Sequence, residues 1–238
     1  MQREELKKYI RELAEKYNVQ SFIEKDPVQF PHRYKEKKDV EISAVITQWI
    51  SYGNRKKIVE TGEILDSLFR GEPYKYIMSE GWKKFHKSED TLYRFYKRGD
   101  FYDVCERLNF VYSSFEDLES TIDENLDYAE EIYKNFSGVN GFPNPKNGSA
   151  SKRLWMMLRW LVRRDGIVDL GIWRRLSPAK LMIPVDVHVL NEGRKLGLTN
   201  RKTASILVSK EITEFMQEVF EDDPCKGDFA LFGLGVDR

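Results

Sequence analysis

The stretch DVEISAVITQWISYG, residues 39–53, settles the fold class. It is a long, mostly apolar run that suits either a buried strand or a buried helix. Its length exceeds that of an ordinary strand, and Asp39 at its head is placed to cap a helix, so a buried helix is expected here. The neighbouring stretch repeats the grammar. In NRKKIVETGEILDSLFRG, residues 54–71, Asn54 is a cap, Ile58, Ile64, Leu65 and Leu68 form an inner stripe, and Gly71 is a stop.

Further out, residues 3–17 set Leu6, Ile10 and Leu13 at helical spacing between alternating charges. Two prolines mark EKDPVQFPHRY, residues 24–34, as an ordered loop. Shorter helices are expected at 73–80, 88–98, 100–108, 114–122 and 125–136. Glycine, proline and asparagine make GVNGFPNPKNGSAS, residues 138–151, the clearest loop. No segment of period two is long enough to demand a sheet, and the chain is expected to be all-α.

The composition bounds the function. With 41% hydrophobic and 33% charged residues among 238, the chain is globular and not disordered. No apolar run has membrane length, and the charged, amphipathic N-terminus is neither a spanning helix nor a secretory signal. Two cysteines, Cys105 and Cys225, are too few for a four-cysteine zinc or iron–sulfur site and give no disulfide framework, so a cytoplasmic location is expected. The three histidines, His32, His86 and His188, lie in separate segments, and neither a metal nor another cofactor is expected. Basic and acidic residues balance at 39 each, which argues against bulk capture of nucleic acid but leaves room for a local basic face.

Such a face is expected in SKRLWMMLRWLVRRDG, residues 151–166. At 100° per residue Lys152, Arg159 and Arg163 fall within about 40° of one another, with Arg153 and Arg164 on the flank. Leu154, Trp155, Leu158, Leu161 and Val162 take the opposite side. A solvated surface helix explains this pattern, and so does a phosphate-facing ridge. Lys152 lies in the first turn beside Arg153, a place suited to a nucleophilic amine. The turn MIPVDVHVLNEGRKLGL, residues 182–198, follows. Pro184 presets the approach to a helix, and Asp186 is either a plain cap or a carboxylate set at the positive end of a helix dipole for chemistry.

IPVDVHV followed by GRKLGL resembles the signature of the helix-hairpin-helix DNA glycosylase superfamily, in which a PVDTHV-like turn opens a helix. Asp186 matches the family aspartate, and His188 matches the histidine two residues later. AVITQWISYGNRKKIV, residues 44–59, looks like the family's early buried helix, and DFALFGLG, residues 228–235, like its late one. DPVQFPHRY, ISYGNRK, IPVDVHV and DFALFGLG, in that order, look more closely like an uncharacterised bacterial family (DUF2400-like) related to that superfamily. The superfamily's glycine-rich hairpin has no counterpart in GIVDLGIWRRLSPAKLM, residues 166–182, and Lys180 is too close to Asp186 to be its lyase lysine. SKRLWMMLRW instead looks like the lysine-bearing helix of the archaeal 8-oxoguanine glycosylases, with Lys152 matching the lysine.

The resemblance implies two helical subdomains with a cleft between them. Residues 1–38 would pack with a C-terminal subdomain of residues 181–238, and 39–180 would form a helical barrel with a divergent hairpin. It implies a monomeric glycosylase with AP lyase activity, acting on double-stranded DNA that carries a damaged base, 8-oxoguanine-like, or an abasic site. Lys152 would be the nucleophile, Asp186 would stabilise the cationic sugar, and His188 would support them. Arg153, Arg159, Arg163, Tyr52, Asn54, Arg55, Arg201 and Lys202 would hold DNA, with an anion contact at Arg33. Trp49, Trp155, Trp160, Phe232 and His32 would line the base pocket. Two other classes fit the same sequence: a DNA-binding module without catalysis, and a helical interaction protein with no nucleic-acid role.

Overall fold

The computed structural model describes residues 2–236. The chain is mostly helical. In order the α-helices are α1 (Arg3–Tyr17), α2 (Lys37–Ile50), α3 (Arg55–Phe69), α4 (Pro73–Met78), α5 (Arg98–Ser114), α6 (Tyr128–Asn135), α7 (Lys152–Val162), α8 (Val187–Lys195), α9 (Ile206–Val219) and α10 (Lys226–Val236). Strands β1 (Thr91–Tyr93) and β2 (Tyr96–Lys97) pair antiparallel. Among the described residues no helix is long and apolar enough to cross a membrane.

The chain forms two compact units. One joins residues 1–24 to 144–238, and the other is residues 25–143. The divisions fall at 24/25 and 143/144. In the first unit α1 packs along α10, and α10 along α8. Leu6, Ile10, Leu13 and Ala14 of α1 are buried, and Asn18 just beyond it donates to Asp165 Oδ2 at 2.9 Å.

In the second unit α2 is the central element, and every residue from Val40 to Ile50 is buried. A helix buried on every side over eleven residues is one surrounded by others; α3 and α4 pack on it. Its one buried carboxylate, Glu41, accepts hydrogen bonds from Tyr112 Oη at 3.0 Å and the Leu118 N–H at 3.1 Å. Asp39 is not its cap. The helix starts two residues earlier, and the Asp39 carboxylate accepts from the Tyr74 N–H at the start of α4, at 2.7 Å.

Two expectations for this unit fail. Residues 88–98 are not a helix but contain the β1–β2 hairpin, which turns at Arg94 in the left-handed region (φ 54°). Strands of three and two residues are too short to leave a period-two signal. The helices expected at 100–108 and 114–122 are instead one 17-residue helix, α5, and a 3-10 turn at Glu119–Thr121.

Candidate functional site

The segment leading into α8 is clamped by α9. The Ile183 N–H donates to Thr213 Oγ1 at 3.0 Å, and the Ile183 carbonyl accepts from Ser209 Oγ at 2.7 Å. With Pro184 and Val185 buried, the backbone reaches Asp186 in a fixed direction. Asp186 caps α8: its Oδ1 accepts from the N–H groups of His188 and Val189, both at 2.9 Å, satisfying two of the helix's orphan donors. The second oxygen, Oδ2, stands 3.2 Å from Lys152 Nζ, the first residue of α7. The side chains are 35% and 18% exposed, so an amine and a carboxylate from two helix N-termini meet where a ligand can reach them.

Ser151, ahead of Lys152, is held at φ 43°, a conformation that costs a non-glycine residue about 1 kcal/mol or more. Its Oγ is buried and has no hydrogen-bond partner among the described residues; the same is true of Nε1 in Trp155 and Trp160 on the same helix. Unmet buried polar groups cost about 1–3 kcal/mol each, and three of them follow one another along α7. Both tryptophans are buried. Phe232 of α10 packs edge-on to Phe22 and to the exposed ring of His188 (centroids 5.9 and 6.3 Å apart).

The expected basic ridge is corrected. Arg159 and Arg163 are 4% and 1% exposed and meet carboxylates rather than solvent. Arg159 binds Asp169 at 3.2 Å and also Asp228, while Arg163 binds Asp165 at 3.0 Å, Asp223 at 2.8 Å and also Asp169. Both guanidiniums lie over the ring of Phe229. The physical reason is that a buried cation needs a buried anion, and residues 165–169 and 223–228 supply four. Burial pushes the Asp228 carboxyl up to about 6; Arg159 opposes the shift, the charge of Asp186 adds to it and Lys152 opposes it. Asp228 therefore feels the exposed pair electrostatically. Burial also raises Asp169, against both arginines.

The α7 helix ends where it does because the following segment satisfies its last carbonyls. Leu170 and Gly171 donate to Trp160 O, and Trp173 donates to Leu161 O. Gly171 sits at φ 57°, and a Cβ there would come within 2.6 Å of Arg163 O. Residues 166–182 are thus irregular apart from a 3-10 turn at Pro178–Lys180, and hold no helical hairpin.

The other expected residues are dispersed. Arg153 is half-buried beside Lys152. Arg201 is held by Glu211 at 2.8 Å, and Lys202 is exposed next to it. In the second unit Trp49 is core: its Nε1 donates to Asn140 O at 2.8 Å and its ring meets Tyr96. It is not placed to stack on a ligand. Asn54 caps α3 through the Lys57 N–H at 3.3 Å, Arg55 stands 3.8 Å from Asp26, and Tyr52 is exposed. His32 lies in a 3-10 turn at Pro31–Arg33, whose arginine is held by Glu63 and Asp66 and is not free for an anion. The sequence reading missed Asp169, Asp223 and Asp228. The available signal was the pair of arginines one turn apart in an otherwise apolar helix.

The family described as "protein of unknown function (DUF2400)" matches residues 26–237, and the chain belongs to it. No curated protein and no solved structure matches the chain.

Proposed function

Starting from that membership, we propose that this chain is a DNA glycosylase with AP lyase activity, acting as a monomer on double-stranded DNA. The single observation that carries the reading is the contact of Lys152 Nζ with Asp186 Oδ2 at 3.2 Å, partly open to solvent. The resemblance of the IPVDVHV turn to the helix-hairpin-helix glycosylases points the same way. The target nucleotide must leave the stack to be reached. As the C1′–N bond breaks, positive charge develops on the sugar, and a fixed carboxylate lowers that barrier. Asp186 is fixed by two backbone donors, and its second oxygen faces the amine.

Lys152, once it has given its proton to solvent, forms a bond from Nζ to C1′ while the base departs with the C1′–N electron pair and takes up a proton from solvent, and Asp186 stays ionised throughout. Ring opening gives an imine. Loss of a C2′ proton then expels the 3′ phosphate and cleaves the strand.

Borohydride trapping on duplexes carrying 8-oxoguanine or an abasic site tests the reading. Wild type is expected to give a covalent adduct, Lys152→Ala none, and Asp186→Asn at most about one hundredth of the wild-type rate. Asparagine keeps an oxygen for the α8 cap, so that loss would be chemical and not structural. No adduct and no base release by wild type would leave a binding module in which the pair only caps α8.

A further inference from the structure

Away from the Lys152–Asp186 pair, the second unit carries an exposed aromatic cluster that the chain has gone to some length to hold still. Tyr52 and Phe95 are 47% and 48% exposed, and their rings meet edge-on with centroids 5.5 Å apart. The Arg94 guanidinium lies 5.1 Å from the Tyr52 ring. Tyr93 Oη donates to the Tyr52 carbonyl at 2.9 Å, and Tyr96 Oη donates to the Trp49 carbonyl at 2.9 Å, so the hairpin is tied twice to the end of α2. Phe95 also leans on the buried ring of Tyr96, with centroids 4.3 Å apart. Gly53, at φ 108°, makes the seat: a Cβ there would come within 2.4 Å of Arg94 Nη1.

A rigid exposed aromatic patch rimmed by polar groups marks a binding surface, and the charge around this one says for which kind of ligand. Residues 52–57 and 94–98 contain six cations, Arg55, Lys56, Lys57, Arg94, Lys97 and Arg98, and no acidic residue. Asp26, Glu60 and Glu89 reach in from outside to Arg55, Lys57 and Lys97, while Arg98 lies over the Phe85 ring. Aromatic faces interleaved with cations are the surface on which unstacked bases settle, the rings taking the base and the cations the phosphates.

We propose that the Tyr52–Arg94–Phe95 cluster is a stacking surface for an unstacked base of a DNA strand. It extends the DNA-substrate reading but makes no use of Lys152. The test is fluorescence anisotropy of the full chain with a labelled single-stranded oligonucleotide, and with a duplex containing an abasic site, across a salt series. Phe95→Ala and Phe95→Leu are each expected to weaken binding about tenfold and to leave the salt slope unchanged. Leucine keeps the packing on Tyr96 and removes only the π face, so it decides the matter even if the alanine variant folds poorly. Lys152→Ala is expected to bind as wild type does.

Wild-type affinity in Phe95→Leu, a loss that shows itself as a changed salt slope, or no oligonucleotide binding by wild type at low salt would each overturn the inference. Phe95-dependent binding without any borohydride adduct would sink the lyase reading and leave the stacking surface standing.

Discussion

Asp228 shows what burial does to one carboxyl. It is buried, and burial pushes it from an ordinary 3.8 up to about 6, because burial disfavours its charge more than Arg159 restores it. The sign of the consequence follows from proton counting. Between about pH 4 and 6 the folded chain binds a proton at this site that the unfolded chain has released, so this group's contribution to stability is greatest below about pH 4 and falls as pH rises towards 6. The fall is worth about 3 kcal/mol once pH exceeds both values. Asp228→Asn cannot titrate there. The stability of wild type minus that of Asp228→Asn, from urea melts at pH 4.5 and 7, is therefore expected to drop with pH. A difference that rises with pH would show that Arg159 holds the carboxylate charged at all times. Asp186 is the contrasting case: as a cap it was legible from its place after Pro184, whereas its pairing with Lys152, 34 positions away, was not readable from either segment alone.

Among the elements, α7 carries the lesson about patterning. Its helical character, its start at Lys152 and its apolar side follow from spacing within about two turns. The same spacing put Arg159 and Arg163 on one ridge and implied a solvent-facing role. That ridge faces carboxylates contributed by residues 165–169, Asp223 and Asp228, and periodicity carries no information on what a ridge will face. A buried ion pair that loses one partner leaves an uncompensated charge, which costs about 3–5 kcal/mol. Arg163→Leu, which strands Asp165, Asp169 and Asp223 together, is expected to lose that much in denaturant unfolding at pH 7. A loss below about 1 kcal/mol would mean that the carboxylates reach water or take up protons. The β1–β2 hairpin is the opposite failure, an element too short to announce itself, yet it holds the exposed aromatic cluster.

For the molecule as a whole, the two units differ in how they use the chain. Residues 25–143 are continuous and contain the α2-centred core, with Trp49, Tyr96, Trp82 and Phe101 buried. The other unit is assembled from both ends, with the apolar stripe of α1 covering α10. The family match begins at residue 26 and so leaves α1 outside it, although α1 is part of that unit's core. A fragment of residues 25–143 is expected to melt cooperatively with a helical circular dichroism spectrum, while residues 144–238 without α1 are expected to remain non-cooperative. Cooperative melting of 144–238 alone would make α1 dispensable.

The helical class, helices α1, α2, α3 and α7 and the caps Asn54 and Asp186 were already written in local patterns, because a helix's hydrogen bonds and caps join residues three to four apart. The same holds for the Asp186 turn. The burial of Arg159 and Arg163 and the setting of Tyr52 beside Phe95 came only from tertiary structure, while the packing of the N-terminal segment with the C-terminal helices and the pairing of Lys152 with Asp186 were expected from the family resemblance and from no local pattern. Each depends on residues far apart in sequence, and the free energy that holds them there is that of burying apolar surface and pairing desolvated charges, which no window along the chain contains.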